Sequence, residues 1–277
     1  MADSQDIIWA NGKLILDEHY RLSPMAPGLA VGLGCFETLA AYRGIPLFLD
    51  RHLKRLFEGA ARLGFQVPDP STLEDAVAEV IGENGLDNEP VSRLRISAMA
   101  LDLEGEASVT ISAVPQAGSP ETMTVTVSDY RRNELGALTG IKSSSYAENT
   151  VALREARREG FDEALMLNSR GDLSEGTLSN VFLVNGGKVT TPELKSGCLP
   201  GVTRALVLEL ATKWGIPYEE VCIPSHEIFM AEEIFVTNSV LGICPVSRID
   251  QRELEPGRIT TKLRGAYQSL IESLIEN

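Results

Sequence analysis

Gly140-Ile141-Lys142-Ser143-Ser144-Ser145-Tyr146 is a short polar stretch with one amine, placed where a helical period is about to begin at Ala147. Two further stretches follow it in order. The first is Ser174-Glu175-Gly176-Thr177-Leu178-Ser179-Asn180-Val181-Phe182, with a single carboxylate. The second is Leu199-Pro200-Gly201-Val202-Thr203-Arg204, where a Pro-Gly turn opens a helix. An amine that attacks a carbonyl has to be neutral, and partial desolvation achieves this by lowering its pKa to ~7–8. The apolar Ile141 before Lys142 and the uncharged serines after it suit that role. Taken singly, each part also has an ordinary reading: Lys142 as a solvated lysine, Glu175 as a turn carboxylate, Gly201 as a plain helix start.

Working outward from these stretches, periodicity predicts alternating strands and helices. Ile7 to Ala10, the Asn11-Gly12 turn and Lys13 to Leu16 read as a hairpin. Cys35 to Tyr42 and Pro46 to Leu49 read as two strands turning at Arg43-Gly44. Leu53, Leu56, Phe57, Ala60 and Leu63 recur at helical spacing over Asp50 to Gly64, and Ser71-Thr72-Leu73-Glu74 reads as a capping box for a helix to about Glu83. Strands at Ser92 to Met99 and Ser108 to Val114 close the first half. The second half reads as strand Met123 to Val127, helix Ala147 to Glu159, strands Ala164 to Leu167, Val181 to Val184 and Lys188 to Thr191, and a helix from Val202 to Trp214. Strands Tyr218 to Cys222 and Glu233 to Thr237 bracket a short helix, and a last helix covers about Thr260 to Ile275. The fold class expected is α/β (α+β). The Pro/Gly/Ser-rich segment from Pro115 to Pro120 divides it into a smaller N-terminal α/β domain, residues 1–115, a linker, 116–121, and a larger C-terminal domain, 122–277.

A chain of 277 residues with 43% apolar content can bury one large core or two moderate ones. Its 39 acidic against 25 basic residues leave a net charge of −14, which repels nucleic acid and anionic membranes, so neither is an expected partner. An anionic substrate would therefore need local basic groups. The acidic opening Met1-Ala2-Asp3-Ser4-Gln5-Asp6 lacks the order of an export signal, and no uncharged apolar run reaches the ~18 residues of a membrane helix, so a cytoplasmic location is expected. Cys35, Cys198, Cys222 and Cys244 are scattered and only His19, His52 and His226 accompany them, so no metal site is expected and the cysteines read as reduced and structural.

Together the three opening stretches hold what pyridoxal 5'-phosphate requires: an amine for its aldehyde, an acid beside its ring nitrogen, and N–H donors around its phosphate. Glu175 would keep the ring nitrogen protonated and Asn180 would support the ring by hydrogen bonding. Gly201 lets the backbone turn closely onto a ligand, and Val202 and Thr203 offer helix N-terminal donors. Thr237-Asn238-Ser239 adds a second loop of donors, and Arg55 can pair bidentately with phosphate, whereas Arg51, Lys54 and Arg62 read as a solvated face. Gly32 and Gly34 match a dinucleotide fingerprint for three residues only, with no third glycine or helix in place.

These motifs, together with Gly34-Cys35-Phe36-Glu37-Thr38, Arg51-His52-Leu53-Lys54-Arg55-Leu56 and Thr237-Asn238-Ser239-Val240, resemble the fold-type IV pyridoxal-phosphate family, the class-IV aminotransferases, from Gly32 to about Ile249. The resemblance implies Lys142 as Schiff-base lysine and proton carrier, Glu175 at the pyridine nitrogen, Leu199 on the ring face, and phosphate contacts from Arg55, Val202, Thr203 and Ser239. It also implies two α/β domains with the cofactor in the interdomain cleft, a homodimer, and a small-molecule amine substrate. Phe36, Thr38 and Asn238 are the candidate substrate contacts. Within the family, Phe36-Glu37-Thr38 and Arg93-Leu94-Arg95-Ile96-Ser97-Ala98 are most similar to aminodeoxychorismate lyase, which implies conversion of 4-amino-4-deoxychorismate to 4-aminobenzoate and pyruvate in folate biosynthesis. The Arg-then-His trap of D-amino-acid aminotransferases is replaced by Ala98 to Ala100. A D-amino-acid or branched-chain aminotransferase, and a catalytically silent cofactor-binding protein, are the alternatives.

Overall fold

The Asn11-Gly12 turn has both residues at positive φ, 49° and 88°, the twist that a two-residue hairpin needs. It joins β1 (Ile7–Ala10) to β2 (Lys13–Leu16) in a computed structural model that describes residues 6–276. The acidic opening from Met1 to Gln5 lies outside the described residues. The same unit contains α1 (Pro27–Ala30), β3 (Gly34–Tyr42), β4 (Ile45–Pro46), α2 (Leu49–Leu63), α3 (Pro70–Glu83), β5 (Ser92–Ala100) and β6 (Ala107–Pro115). Its antiparallel sheet has the order β2-β1-β6-β5-β3-β4. Leu53 and Leu56 of α2 and Leu73, Val77 and Val80 of α3 pack in one core with Leu39, Leu94, Ile96 and Ile111 of the strands.

Two local expectations are corrected here. Pro46 to Leu49 is not a strand beyond Pro46, because Phe48 turns left-handed at φ 53° and α2 starts at Leu49. The cap of α3 is not Ser71 but Asp69, whose carboxylate accepts the Thr72 N–H at 3.0 Å, with Pro70 preset for the first helical position.

Chain contacts divide the described residues into two units, changing from one to the other between Gly118 and Ser119, and the short segment Ile141–Ser145 belongs to the first unit. The sequence division leaves Lys142 in the C-terminal part. Its backbone accounts for the difference: β4 pairs only the far end of β3, so the groups at Gly34 and Phe36 need other partners. The Phe36 N–H donates to the Lys142 carbonyl at 2.9 Å, the Ser144 N–H donates to the Gly34 carbonyl at 2.8 Å, and Cys35 bridges Ser143.

The second unit holds β7 (Met123–Arg132), α4 (Ala147–Arg158), β8 (Glu163–Asn168), β9 (Leu173–Gly176), β10 (Asn180–Asn185), β11 (Lys188–Pro192), α5 (Val202–Lys213), β12 (Tyr218–Val221), α6 (Ser225–Ile228), β13 (Glu233–Asn238), β14 (Gly242–Ile249), β15 (Arg252–Glu253) and most of α7 (Arg258–Ile275). Its nine-stranded sheet runs β12-β11-β10-β13-β14-β7-β8-β9, with β15 on β14. Phe182 and Phe235 lie opposite each other on β10 and β13 with stacked rings 4.7 Å apart. Three of these strands are absent from the sequence reading, among them β15, which is only two residues long. β14 contains Pro245, which argues against a central strand, yet it pairs β13 and β7, with a register shift between Val246 and Arg248. β9 is only four residues long and buried throughout, so no alternation marks it. Cys35, Cys198 and Cys244 are buried and Cys222 is exposed; all four are free thiols. No helix among the described residues is long and apolar enough to cross a membrane.

Candidate active site

Successive residues of a strand point to opposite faces, and this sorts the side chains of β3. Cys35, Glu37 and Leu39 face the helices. Phe36 and Thr38 face the other way, directly opposite Ser97 and Arg95 of β5. The Lys142 amine lies 4.7 Å from the Phe36 ring centroid and the Arg95 guanidinium carbon 3.9 Å from it, so two cations rest on one buried ring. Lys142 itself is half-buried between the buried Ile141 and Ser143. The structure thus brings Lys142, Phe36 and Thr38 together and adds Arg95, for which the sequence reading assigned no role. The available signal was an arginine on the polar face of an alternating strand in a strongly acidic protein.

On the helix side of β3, Glu37 takes the guanidinium of Arg55 as a fork, Nε to Oε1 at 2.8 Å and Nη2 to Oε2 at 2.6 Å. The Nδ1–H of His52 donates to the same Oε2 at 2.6 Å. Burial alone would raise the Glu37 pKa, but the charge and hydrogen bonds of Arg55, with the bond from His52, outweigh it and bring the carboxyl to about 2. Burial lowers the His52 pKa despite its carboxylate neighbour, so the ring is neutral and its Nε2 is buried with no hydrogen-bond partner. Arg55 is therefore positioned by a carboxylate that the sequence reading placed only within a motif. The Cys35 thiol, pushed up to about 12 by burial and then by Glu37, is inert at neutral pH.

In the second unit, Glu175 on β9 is buried, and both its oxygens are engaged. Arg132 at the end of β7 donates to Oε1 at 2.8 Å, and the Leu199 N–H donates to Oε2 at 2.8 Å. The Leu199 carbonyl accepts from Asn180 Nδ2 at 2.9 Å, so the backbone of one residue is clasped at both ends by Glu175 and Asn180. Leu199 leads to Gly201, where an added Cβ would lie 2.0 Å from Asn180 Oδ1; the residue is glycine because the asparagine occupies that space. α5 starts there with no side-chain cap on its first N–H groups, and the hydroxyls of Thr203 and Ser239 lie 3.4 Å apart. Asn238 is engaged on both sides of its amide: Oδ1 accepts the N–H groups of Val240 and Leu241 at 3.0 and 2.8 Å, and Nδ2 donates to the Leu178 carbonyl at 3.3 Å. Arg132 escaped the sequence reading because nothing local pairs it with a carboxylate 43 residues away.

The family model described as Amino-transferase class IV matches residues 34–249, and the chain belongs to that family. It is an enzyme with the fold-type IV architecture. A putative branched-chain-amino-acid aminotransferase of Methanocaldococcus jannaschii is 31% identical over 95% of this chain and 96% of its own. An aminodeoxychorismate lyase of Bacillus subtilis is 30% identical over 97% and 96%. Among solved structures, a branched-chain aminotransferase of Thermoproteus uzoniensis with norvaline superposes with a TM-score of 0.90 at 31% identity, covering 96% of this chain and 94% of that one. A T.th. branched-chain amino acid aminotransferase with pyridoxamine 5'-phosphate gives 0.87 at 28%, covering 96% and 94%.

Proposed function

We propose that the protein is a pyridoxal-phosphate-dependent aminotransferase for an amino acid with an apolar side chain, of the branched-chain kind. The observation that carries this reading is the Phe36 ring with the Lys142 amine and the Arg95 guanidinium both upon it. That arrangement offers an apolar wall for an aliphatic side chain, a cation for a carboxylate, and an amine that holds and moves a proton. The relatives support it, since branched-chain aminotransferases appear both among the similar sequences and among the similar structures.

The donor set fits the cofactor. An uncapped twelve-residue helix start and two hydroxyls suit an anionic phosphate, and a carboxylate gripped by Arg132 suits a protonated ring nitrogen. When bound, pyridoxal phosphate supplies an aldehyde that exchanges amines and a ring that withdraws electrons. In this reading Lys142 holds the aldehyde and carries the proton, Glu175 faces the ring nitrogen, and Leu199 packs on the ring. Val202, Thr203, Ser239 and Arg55 hold the phosphate, Asn180 orders the Leu199 peptide, and Phe36, Thr38 and Arg95 meet the substrate. The implied homodimer belongs to the same reading and is checked by sedimentation of the purified protein. Gly201→Ala is expected to weaken pyridoxal phosphate binding by about tenfold, the worth of one buried hydrogen bond lost from Asn180. Gly82→Ala, with open space around it on α3, is expected to leave binding unchanged.

A second reading, aminodeoxychorismate lyase, is favoured by the Bacillus subtilis relative and by the β3 and β5 motifs. One assay separates them. Purified protein with pyridoxal phosphate is given a branched-chain amino acid with and without 2-oxoglutarate, and aminodeoxychorismate alone. Glutamate that forms only with the keto acid supports the aminotransferase; pyruvate released without any acceptor overturns it in favour of the lyase. A yellow protein with neither activity is a silent binder.

A further inference from the structure

Glu163, buried on β8, accepts five hydrogen bonds and returns none. Its Oε1 takes the N–H of Ala164 at 2.9 Å, the N–H of Thr177 at 3.0 Å and the Thr177 hydroxyl; its Oε2 takes the N–H of Leu178 and the Ser179 hydroxyl, both at 3.0 Å. Three of those donors are backbone N–H groups, which cannot turn round to accept, so the site requires two acceptor oxygens. The loop wrapped around this carboxylate, Gly176 to Ser179, has Glu175 at one end and Asn180 at the other. A Cβ on Gly176 would stand 3.2 Å from the Glu163 carboxyl carbon and 2.3 Å from Ser179 Oγ, so the wrap is as tight as glycine permits. From the two ends of that loop come the bonds that clasp the Leu199 backbone, and from Leu199 the chain passes through Gly201 into the start of α5. The Thr177 carbonyl in the middle of the loop accepts from the Tyr146 hydroxyl and from Asn149 Nδ2, both at 2.7 Å, which ties the first turn of α4 to the same point.

We infer that Glu163 is a positioning residue that sets, through the 176–179 loop, the placement of Glu175, Asn180 and the Leu199 backbone together. It acts at a distance from the reacting atoms, and its importance for the enzyme rests on the reading of Glu175 and Thr203 given above. The consequence is that the Glu175 end and the α5 end of this part of the second unit are not independent: both answer to one buried carboxyl group.

The test uses the full chain free of cofactor and then loaded. Glu163→Gln keeps the shape of the side chain and replaces one acceptor oxygen with a donor that faces the Leu178 N–H. In the cofactor-free protein, amide hydrogen exchange at Thr177 and Leu178 is expected to rise about tenfold or more, and exchange at Leu199 to rise with it. Amides of Val181 and Phe235 in the adjacent strands are expected to keep wild-type rates. After loading, the bound cofactor's absorbance titration is expected to shift relative to wild type at equal occupancy. Ser179→Ala, which removes one hydroxyl donor and leaves the carboxylate, is the second variant; a rise of about threefold at Leu199 is expected there. Faster exchange at Thr177 and Leu178 with Leu199 unmoved in both variants overturns the inference and leaves Glu163 as a local staple. A wild-type protein that takes up no pyridoxal phosphate sinks the proposed function instead, and that result is read without any variant.

Discussion

Replacing Lys142 by Ala is expected to lower turnover by about a thousandfold or more, because on the proposed function it removes both the amine that holds the cofactor aldehyde and the group that carries the proton. Borohydride should fix the pyridoxyl group to the wild-type chain at Lys142 and fail to fix it in the variant. Cofactor should still be retained without a covalent bond, since the donors at the start of α5 and the Glu175–Arg132 pair are untouched by the change. Lys142→Arg is the informative companion. It keeps a cation near Phe36, but a guanidinium does not deprotonate, so it should be as inactive as the alanine variant. Turnover within tenfold of wild type in either variant would remove Lys142 from the mechanism and with it the basis of the proposed function.

Glu37→Gln is expected to destabilise the protein at neutral pH by about 3–5 kcal/mol, the usual result of removing one member of a buried ion pair. Arg55 and His52 would both face an amide in place of the carboxylate that orders them. The pH dependence gives a sharper check. A carboxyl moved from 4.5 down to about 2 by its partners stabilises the folded state by about 3 kcal/mol above the unfolded pKa. Because the folded pKa is the depressed one, that contribution is complete above pH ~4.5 and is lost as the pH falls from there toward about 2. Urea unfolding should therefore show the wild type losing its advantage over Glu37→Gln across that window. A wild-type and variant difference that stays constant from pH 7 to pH 3 would contradict the Glu37–Arg55 pairing. The variant should also bind pyridoxal phosphate more weakly, because Arg55 would lose the fork that fixes its plane.

Much of the secondary structure was legible in the chain because its signals are local. The Asn11-Gly12 hairpin, the apolar stripe of α2 and the Pro-Gly opening of α5 each depend on residues within one or two turns of one another. The strands that were missed lacked such a signal: β9 is too short and too buried to alternate, β15 is only two residues long, and β14 carries a proline that pattern reading takes as a stop. Asp69 replaced the expected cap because the helix starts at a proline whose fixed φ already suits that position.

By itself the sequence determined the order of the chemical parts, Arg55, Lys142, Glu175, Asn180, Thr203 and Ser239, and through them the family to which the chain belongs. Partnerships were decided by tertiary structure alone: Lys142 and Arg95 on Phe36, Glu37 between His52 and Arg55, Arg132 on Glu175, and Glu163 inside its loop. The reason is physical. A side chain's type and its neighbours along the chain limit what it can do, but which distant group it meets depends on sheet register and strand order, where a shift of one residue turns every side chain to the opposite face.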